Sequence, residues 1–577
     1  MNHSSCQQQF YIKYRYQLLL IGLFLAIYIL PLGIRPLITP DEARYAEIPR
    51  EMLASGNWVA PHFNGLRYFE KPVLGYWIHA LSISIFGENN FAVRLPAPLS
   101  VGLSALLIFF LLYRSHYHKE DYPELQNSFP EQPQLKFLAP FIFLVSFEVF
   151  GVGSTAVLDN LLALFLTATT AFFYFACESV PGSSREKFYL LLAGCACGMA
   201  FMTKGFIAFA IPAITLSTYL IWERRYRDLW RMSWLPLLAA VLISTPWSIK
   251  IHLQEPDFWN FFFWNEHVRR FLSGNAQHEK NFFYYFLCAP GMIMPWTFVT
   301  PVAFFGIREH FRKPGPEGRL IRLALCWMIL PFLFFSCASG KILTYILPCF
   351  PPFAILMAIG LVRGLKKNRL QKIFRRGAIA TAILFCLIIP VFTVTQFSEI
   401  GGFSHYAQTW KVLLGLNGLV AAVMLFLFSA QSYRPTQKII LLGLAPGLIF
   451  LSAHLMIPDK TLEQRAPKTF LKHYQPYIDK DTIVFAEHRL AGAVCWYLKR
   501  DDINIIGRGG EFKYGLTYKD AAGRQMDLMP AAEFIRHHPG KIVLIARMKE
   551  LKKWRIYLPP PLFTTNNSTK GIGLWKF

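Results

Sequence analysis

Acidic residues are scarce in this chain relative to basic ones. Its 577 residues include 35 Asp and Glu against 59 Lys and Arg, and only 16% of the sequence is charged. An ordinary soluble domain carries charge on about a quarter of its residues, so a water-facing surface of normal extent is excluded. Cysteine is sparse too, with ten residues. Most lie inside apolar runs as small buried groups, and none shows zinc-type pairing. Only Cys495 falls in the polar C-terminal part, so that part has no internal disulfide. Internal repeats and long disordered tracts are also missing.

What is present is hydrophobe, at 54% of the chain. A spanning helix needs roughly 20 mostly apolar residues. That ruler gives about thirteen candidate spans. They begin near Gln17, Ala92, Phe137, Ala156, Phe188, Gly205, Ser233, Phe286, Leu323, Leu343, Gly377, Lys411 and Ile439. The first follows Lys13 and Arg15 and lacks a small-residue cleavage site, so it reads as a retained anchor.

The formal net charge of +24 would suggest nucleic acid in a soluble protein. Here the cations sit in short loops and report topology, so no nucleic-acid partner is expected. Arg224, Arg225, Arg227 and Arg231 follow the sixth run; Arg308, Arg312, Lys313, Arg319 and Arg322 follow the eighth. Arg363, Lys366, Lys367, Arg369, Lys372, Arg375 and Arg376 follow the tenth. All are even-numbered connections, on the side of Lys13 and Arg15, and the positive-inside rule makes that side cytoplasmic. The polar loop 116–136 belongs there too. Residues 35–91, 252–285 and everything after the last span then face outward.

The chain divides at 457/458. Residues 1–457 form the transmembrane part. In 458–577, Thr482–Ala486 and Lys541–Ile545 read as strands, with short helices over 461–473 and 530–538. That is a small α/β module outside the membrane.

Ionisable residues collect on the outward face. The first loop brings Asp41, Glu42, Arg44, Glu70 and Lys71. Asp159 sits at the mouth of the fourth span and Lys204 between the fifth and sixth. Glu266, His267 and Arg270 lie in the long loop, and Lys341 and Tyr345 stand where the tenth span begins. Charges beside hydrocarbon are costly unless paired or functional, and topology brings all of these to one membrane face. Residues 42–54 have helical character, with Asp41 placed to cap. Residues 73–86 suit an interfacial helix with Tyr76 and Trp77 at headgroup depth. Each residue also has a plainer reading. Arg44, Arg50 and Lys204 could snorkel, Glu70 and Lys71 could form an exposed ion pair, and Asp159 could cap its helix. His267 could be a satisfied interfacial side chain. A divalent metal stays open, although no pair shows ligand spacing on a helix; no other cofactor is indicated.

Thr39-Pro40-Asp41-Glu42-Ala43-Arg44-Tyr45 and Tyr68-Phe69-Glu70-Lys71-Pro72, with a following Tyr-Trp, resemble the lipid A aminoarabinose transferases. These are polyprenyl-phosphate-sugar-dependent enzymes of the GT-C fold, related to the protein mannosyltransferases. Glu266-His267-Val268-Arg269-Arg270 fits the family's Glu-His-x-x-Arg pattern. Gly340-Lys341-Ile342-Leu343-Thr344-Tyr345 is similar to a family motif that has Pro where this chain has Leu343. Gly510-Glu511-Phe512-Lys513-Tyr514-Gly515-Leu516 is similar as well.

The resemblance implies a polytopic α-helical membrane protein of GT-C type with periplasmic juxtamembrane helices. It implies an undecaprenyl phosphate-linked sugar donor and lipid A as acceptor, at the outer face of a bacterial inner membrane. Asp41, Glu42 and Asp159 would be catalytic. Arg44, Glu70, Lys71, His267, Arg270, Lys341, Tyr345 and Glu511 would bind substrate, with Lys71 and Arg270 on the leaving phosphate. No glycine-rich cradle precedes a helix, which disfavours a soluble nucleotide sugar. The alternatives are a GT-C transferase moving another polyprenyl-linked sugar, hexosamine or mannose, to lipid A, glycan or a protein hydroxyl, and a non-catalytic lipid transporter. Few ionisable residues sit at midplane depth and no matched broken helices are evident, which counts against transport.

Overall fold

The computed structural model describes residues 16–117, 134–269, 279–397 and 406–577; most of the loop 116–136 lies outside them. Each apolar run identified in the sequence falls in a helix or a bent helix pair. Among the described residues, eight helices are long and apolar enough to cross a membrane, or ten if each bent pair is one span. The bent pairs are Leu135–Leu144 with Phe147–Gly153, at 62°, and Tyr284–Met292 with Thr297–Ile307, at 97°. Two further apolar helices, Tyr16–Ile29 and Ile207–Trp222, are shorter. Ser184–Lys204 is long but carries Arg185, Glu186, Lys187 and Lys204 at its ends.

Burial separates interior from periphery. In Asp159–Cys177 and Leu343–Gly364, 89% of the most apolar stretch is buried; in Asp228–Gln254 and Asn368–Gln396 only 28% is, leaving those to face lipid. Glycine sets the closest approaches. A Cβ on Gly306 would come 2.0 Å from the Gly360 carbonyl oxygen, so helices Thr300–Ile307 and Phe350–Gly364 meet backbone to backbone. Membrane helices use such small-residue contacts in place of a hydrophobic driving force.

The first outward loop is folded. It holds helix Asp41–Ser55, a hairpin of β1 (His62–Phe63) and β2 (Leu66–Arg67), and helix Leu74–Phe86. Asn64 and Gly65 at the hairpin turn both have positive φ, 60° and 68°, the conformation that Asn-Gly adopts in two-residue hairpins. Tyr76 is fully buried, 6.1 Å from the Tyr45 ring. The stacked rings draw it inward, while Trp77 donates its Nε1–H to the Trp58 carbonyl at the loop surface.

The C-terminal residues build a six-stranded mixed sheet: β3 (Ile483–Glu487), β4 (Asn504–Ile506), β5 (Gln525–Met526), β6 (Ile542–Arg547), β7 (Phe563–Asn566) and β8 (Ile572–Lys576). The order is β5-β4-β3-β6-β8-β7. β3 runs parallel to β4 and β6, β4 parallel to β5, and β8 antiparallel to β6 and β7. Residues alternate between faces, as a strand's period of two requires. Val484 and Val543 join the continuous core that runs down into the helices, and Phe485 and Leu544 join a second core on the other face.

Asn64 fastens the hairpin to this sheet region. Its amide donates to the Ile503 carbonyl at 2.7 Å and accepts from the Ile503 N–H at 2.9 Å. Arg524 reaches both its backbone and side-chain oxygens. On the other flank Glu51 accepts the Asn64 and Gly65 amides, at 2.6 and 2.9 Å. Asn64→Ala should orphan the Ile503 amide at a cost of about 1–3 kcal/mol. Limited proteolysis should then release the C-terminal fragment faster than from wild type; unchanged cleavage would show that the hairpin does not hold it.

Candidate active site

Helix periodicity divides the first motif. Asp41 and Arg44 are three residues apart and share a face, while Glu42 is turned about 100° away. Asp41 is the first helical residue, and the N-cap position belongs to Pro40 with no side-chain cap bond. The Asp41 carboxylate therefore pairs with Arg44, Oδ1 to Nη2 at 2.5 Å, and is 57% exposed.

Arg44 is the hub of the outward cluster. Its Nη1 lies 2.9 Å from Glu511 Oε2 and donates to the Tyr68 hydroxyl at 3.2 Å. Tyr68 in turn donates to Glu70 Oε2 at 2.8 Å. Burial lifts the Glu511 carboxyl above the usual carboxylate range, with Arg44 pulling it back. Glu511 comes from the C-terminal region, so the cluster joins the two ends of the chain. Gly510 beside it has φ +56°, and a Cβ there would collide with the His488 ring.

A second pair lies deeper. Lys204 Nζ meets Asp159 Oδ1 at 2.6 Å and sits 4.3 Å from the Tyr345 ring centroid, a cation–π distance. Tyr45 links the two groups. Burial raises its hydroxyl well above the ordinary value, Arg44 opposes this, and the charges of Asp41, Asp159 and Glu70 all reach it. Asp41, Arg44, Glu70 and Asp159 thus lie within electrostatic reach of one tyrosine, with Glu511 joined through Arg44 and Lys204 and Tyr345 through Asp159.

Glu42 and Lys341 do not join them. Glu42 is 1% exposed and is gripped by two arginines. Arg35 reaches its oxygens at 2.7 and 2.8 Å, and Arg94 reaches both at 2.8 Å. Burial alone would raise this carboxyl; Arg94 and Arg35 outweigh it and hold it at about 2. The catalytic role expected for Glu42 finds no unengaged oxygen in this arrangement, since both are held by the two arginines. Lys341 is 3% exposed and donates to the Lys280 and Ala338 carbonyls, fastening the chain at the end of helix Pro316–Cys337. Arg50, for which snorkelling is the plainer alternative, pairs with Glu47 at 2.6 Å.

Several residues escaped the sequence reading. Arg35 and Arg94 looked like ordinary basic flanks of apolar runs. Glu148, at the break of a bent pair, is buried with Oε1 lacking a hydrogen-bond partner. Asp257 accepts from Tyr514 at 2.5 Å and from Tyr518, and Tyr514 stacks on Phe261 at 3.9 Å. Arg67 pairs with Glu255 at 2.8 Å and with Asp520 at 2.5 Å. The segment around Glu511 thereby straps the first loop to the helix Asn260–Arg269.

Lys71 donates to the Glu70 carbonyl at 2.7 Å. Arg270 and the side chain of His267 lie outside the described residues. Among the described residues, no three His, Cys, Asp or Glu side chains gather as a metal site. Ion pairs there reach Asp41, Asp159 and Glu511, whereas Glu70 receives the neutral Tyr68 hydroxyl.

Residues 462–571 match the family model described as "Arabinosyl transferase ArnT, C-terminal domain", and residues 13–121 and 132–262 match "Dolichyl-phosphate-mannose-protein mannosyltransferase". A relative from Erwinia tasmaniensis, named undecaprenyl phosphate-alpha-4-amino-4-deoxy-L-arabinose arabinosyl transferase, is 38% identical over 93% of this chain and 94% of its own. The crystal structure of ArnT from Cupriavidus metallidurans bound to undecaprenyl phosphate superposes with a TM-score of 0.80 at 20% identity, covering 97% of this chain and 98% of that one. The archaeal oligosaccharyltransferase AglB from Archaeoglobus fulgidus gives 0.52 at 12% identity over 95% and 71%. The fold is of GT-C type.

Glu42 and Asp41 should part under mutation. Glu42→Gln leaves two buried guanidiniums facing one neutral amide and should destabilise the protein by about 3–5 kcal/mol, seen as a lowered melting temperature in detergent. Asp41→Asn removes only a half-exposed pair worth under about 1 kcal/mol and should leave the melting temperature near wild type while activity falls. Equal losses of stability would overturn the division.

Proposed function

The chain belongs to the family of the undecaprenyl phosphate-aminoarabinose arabinosyl transferases, and we propose that it moves 4-amino-4-deoxy-L-arabinose from undecaprenyl phosphate to a phosphate of lipid A at the periplasmic face of a bacterial inner membrane. It is a multi-span membrane glycosyltransferase. In this reading the cytoplasmic side carries the basic loops, and residues 458–577 form a periplasmic module dividing from the transmembrane part at 457/458. The observation that carries it is the cluster around Arg44, which joins Asp41, Tyr68, Glu70 and Glu511.

The chemistry follows from charge. The bond from the anomeric carbon to the lipid phosphate breaks, and that phosphate leaves with growing negative charge. Cations fixed in advance stabilise it. Lys71 and Arg270 take this role. Arg44 is already compensated by two carboxylates and acts as a positioning residue. The acceptor phosphate, with a second pKa near about 6, is ionised at neutral pH and attacks without much help from a base. Asp41, the most exposed carboxylate of the three ion-paired ones, then orients the sugar or holds Arg44.

The donor sugar carries an ammonium. Of the carboxylates proposed to meet it, Asp159 and Glu511 are committed to Lys204 and Arg44. Glu70 is the one whose described partner is a neutral hydroxyl, so it takes the ammonium. Glu70→Gln should raise KM for the amino-sugar donor about tenfold, roughly the strength of one charge-assisted hydrogen bond. It should leave an N-acylated donor nearly unaffected. Equal effects on both donors would remove the assignment.

The reaction itself is tested by mass spectrometry of lipid A from cells with and without the protein. An added pentosamine is expected; an added hexosamine, or modification of protein or glycan only, would replace the sugar or the acceptor. In the same assay Lys71→Ala and Arg270→Ala should each cost at least tenfold in transfer, from a phosphate contact worth about 1.5–3 kcal/mol, with normal membrane insertion. Wild-type rates in either variant would sink the phosphate role.

A further inference from the structure

A cavity of about 810 Å³ lies between helices Pro96–Tyr117, Asp159–Cys177 and Ser184–Lys204, away from the carboxylate cluster. Its volume is that of a ligand site. The walls are aliphatic and aromatic, and Arg114 and Arg185 stand among them. Leu103, Leu106 and Phe110 on its outer wall are exposed, so it opens toward the bilayer.

Helix direction places its basic mouth. Asp159 and Lys204 meet at one end of their helices, and Phe175 and Arg185 lie near the other ends. From Asp159 to Phe175 the rise is about 24 Å, most of the roughly 30 Å hydrocarbon thickness. The arginines therefore stand at the leaflet opposite the active site. From Arg114 to Leu103 the wall runs about 16 Å toward the bilayer middle, long enough to lay an acyl chain along.

Four arginines at this end of the bundle are spent on carboxylates of neighbouring helices and loops. Arg231 pairs with Glu186, Arg319 with Glu178, Arg322 with Glu223 and Arg363 with Glu317. Among the described residues Arg114 and Arg185 have no such partner. Arg114 lies over the rings of Phe175 and Tyr189, at 4.9 and 4.5 Å. Ring faces neutralise no charge and occupy none of the N–H edges. A guanidinium held over two rings at the mouth of an apolar groove is set to receive an anion, and Arg does so bidentately with phosphate. Basic pockets between membrane helices bind anionic headgroups in this way.

We infer that this groove binds one anionic phospholipid of the leaflet opposite the active site, its phosphate between Arg114 and Arg185 and an acyl chain along Leu103, Leu106 and Leu164. The polyprenyl donor does not suit it, because the donor phosphate must lie at the other end of the same helices; this clause rests on the reading of the active site above.

Native mass spectrometry of the full chain, released from mixed micelles with cardiolipin or phosphatidylethanolamine, tests the site without using catalysis. Wild type should retain cardiolipin on the order of 30-fold better than phosphatidylethanolamine, at about 1 kcal/mol per arginine. The doubly substituted Arg114→Gln, Arg185→Gln protein should lose that preference. Arg185→Gln alone, at an exposed position, should lose part of it, which keeps the test decisive if the double variant folds poorly. Leu106→Trp, which narrows the groove from its open side, should reduce retention of either lipid. Equal retention of the two lipids by wild type, or a preference that survives loss of the arginines, would overturn the inference. Displacement of cardiolipin by equimolar undecaprenyl phosphate would do so too and hand the groove to the donor. Lipid retention without any transfer to lipid A would leave this site standing and overturn only the proposed reaction.

Discussion

One buried ion cluster sets the geometry of the whole outward face. Glu42 sits between Arg35 and Arg94, with both oxygens engaged. Taking three charges out of water is expensive, and such a cluster holds only if its spare donors are also satisfied. They are. Arg94 donates to the carbonyls of Leu32, Arg35 and Pro36, and Arg35 donates to the carbonyl of Ser154. Glu42 also accepts the Ile38 and Ala156 amides. The cluster therefore fixes the start of helix Asp41–Ser55 and the turn just before Asp159 in one stroke. Those are the two places from which Asp41 and Asp159 project. A single acid, hidden from any substrate, decides where the two acids facing the cleft stand.

The C-terminal region completes what the cluster begins. A loop of some fifty residues between two spans would ordinarily keep much of its freedom, and ordering it costs about 1–2 kcal/mol per residue. Here that cost is offset by packing against the sheet region on one side and the helices on the other. Asn64 docks the hairpin, Glu511 grips Arg44, and Tyr514 and Tyr518 hold Asp257. Removing the sheet would thus dissolve the site even though it supplies only one of the clustered carboxylates.

The sequence made some of this legible and hid the rest for identifiable reasons. Strands near 482–486 and 541–545 were readable because each is a short, continuous apolar run rich in β-branched residues, as a strand buried on both faces requires. The observed strands, Ile483–Glu487 and Ile542–Arg547, differ by a residue or two at each end. Asp41 and Arg44, three residues apart in a helical stretch, share a face and form an ion pair. Glu42 was taken with Asp41 because adjacent acids look like one unit in a string; on a helix adjacent residues point about 100° apart, and the bulk of the bundle claims the second. Arg35 and Arg94 were invisible as a pair because nothing in a sequence shows that two distant arginines converge on one glutamate. Lys341 stands at a span's edge, and nothing in the string shows that the Lys280 and Ala338 carbonyls come within its reach. The number of spans stayed soft where helices bend or are short, since a 20-residue ruler cannot see a 97° corner.

The scarcity of acid gains meaning once the pairs are placed. Among the described residues, Glu178, Glu186, Glu223 and Glu317 on the basic side are matched to arginines. On the outward side each ion-paired carboxylate in the cluster neutralises a cation that would otherwise bind phosphate indiscriminately. Arg44, with Asp41 and Glu511, carries no net positive field, and neither does Lys204 with Asp159. A donor headgroup with a phosphate at one end and an ammonium at the other needs the opposite arrangement, one cation and one anion not cancelled by each other. Glu70 and Lys71 are adjacent, of opposite sign, and backed by the rigid Pro72. Lys71 turns back onto the Glu70 carbonyl while the Glu70 carboxylate goes to Tyr68. The Glu70 carboxylate and the Lys71 ammonium are thereby directed to different partners on neighbouring residues.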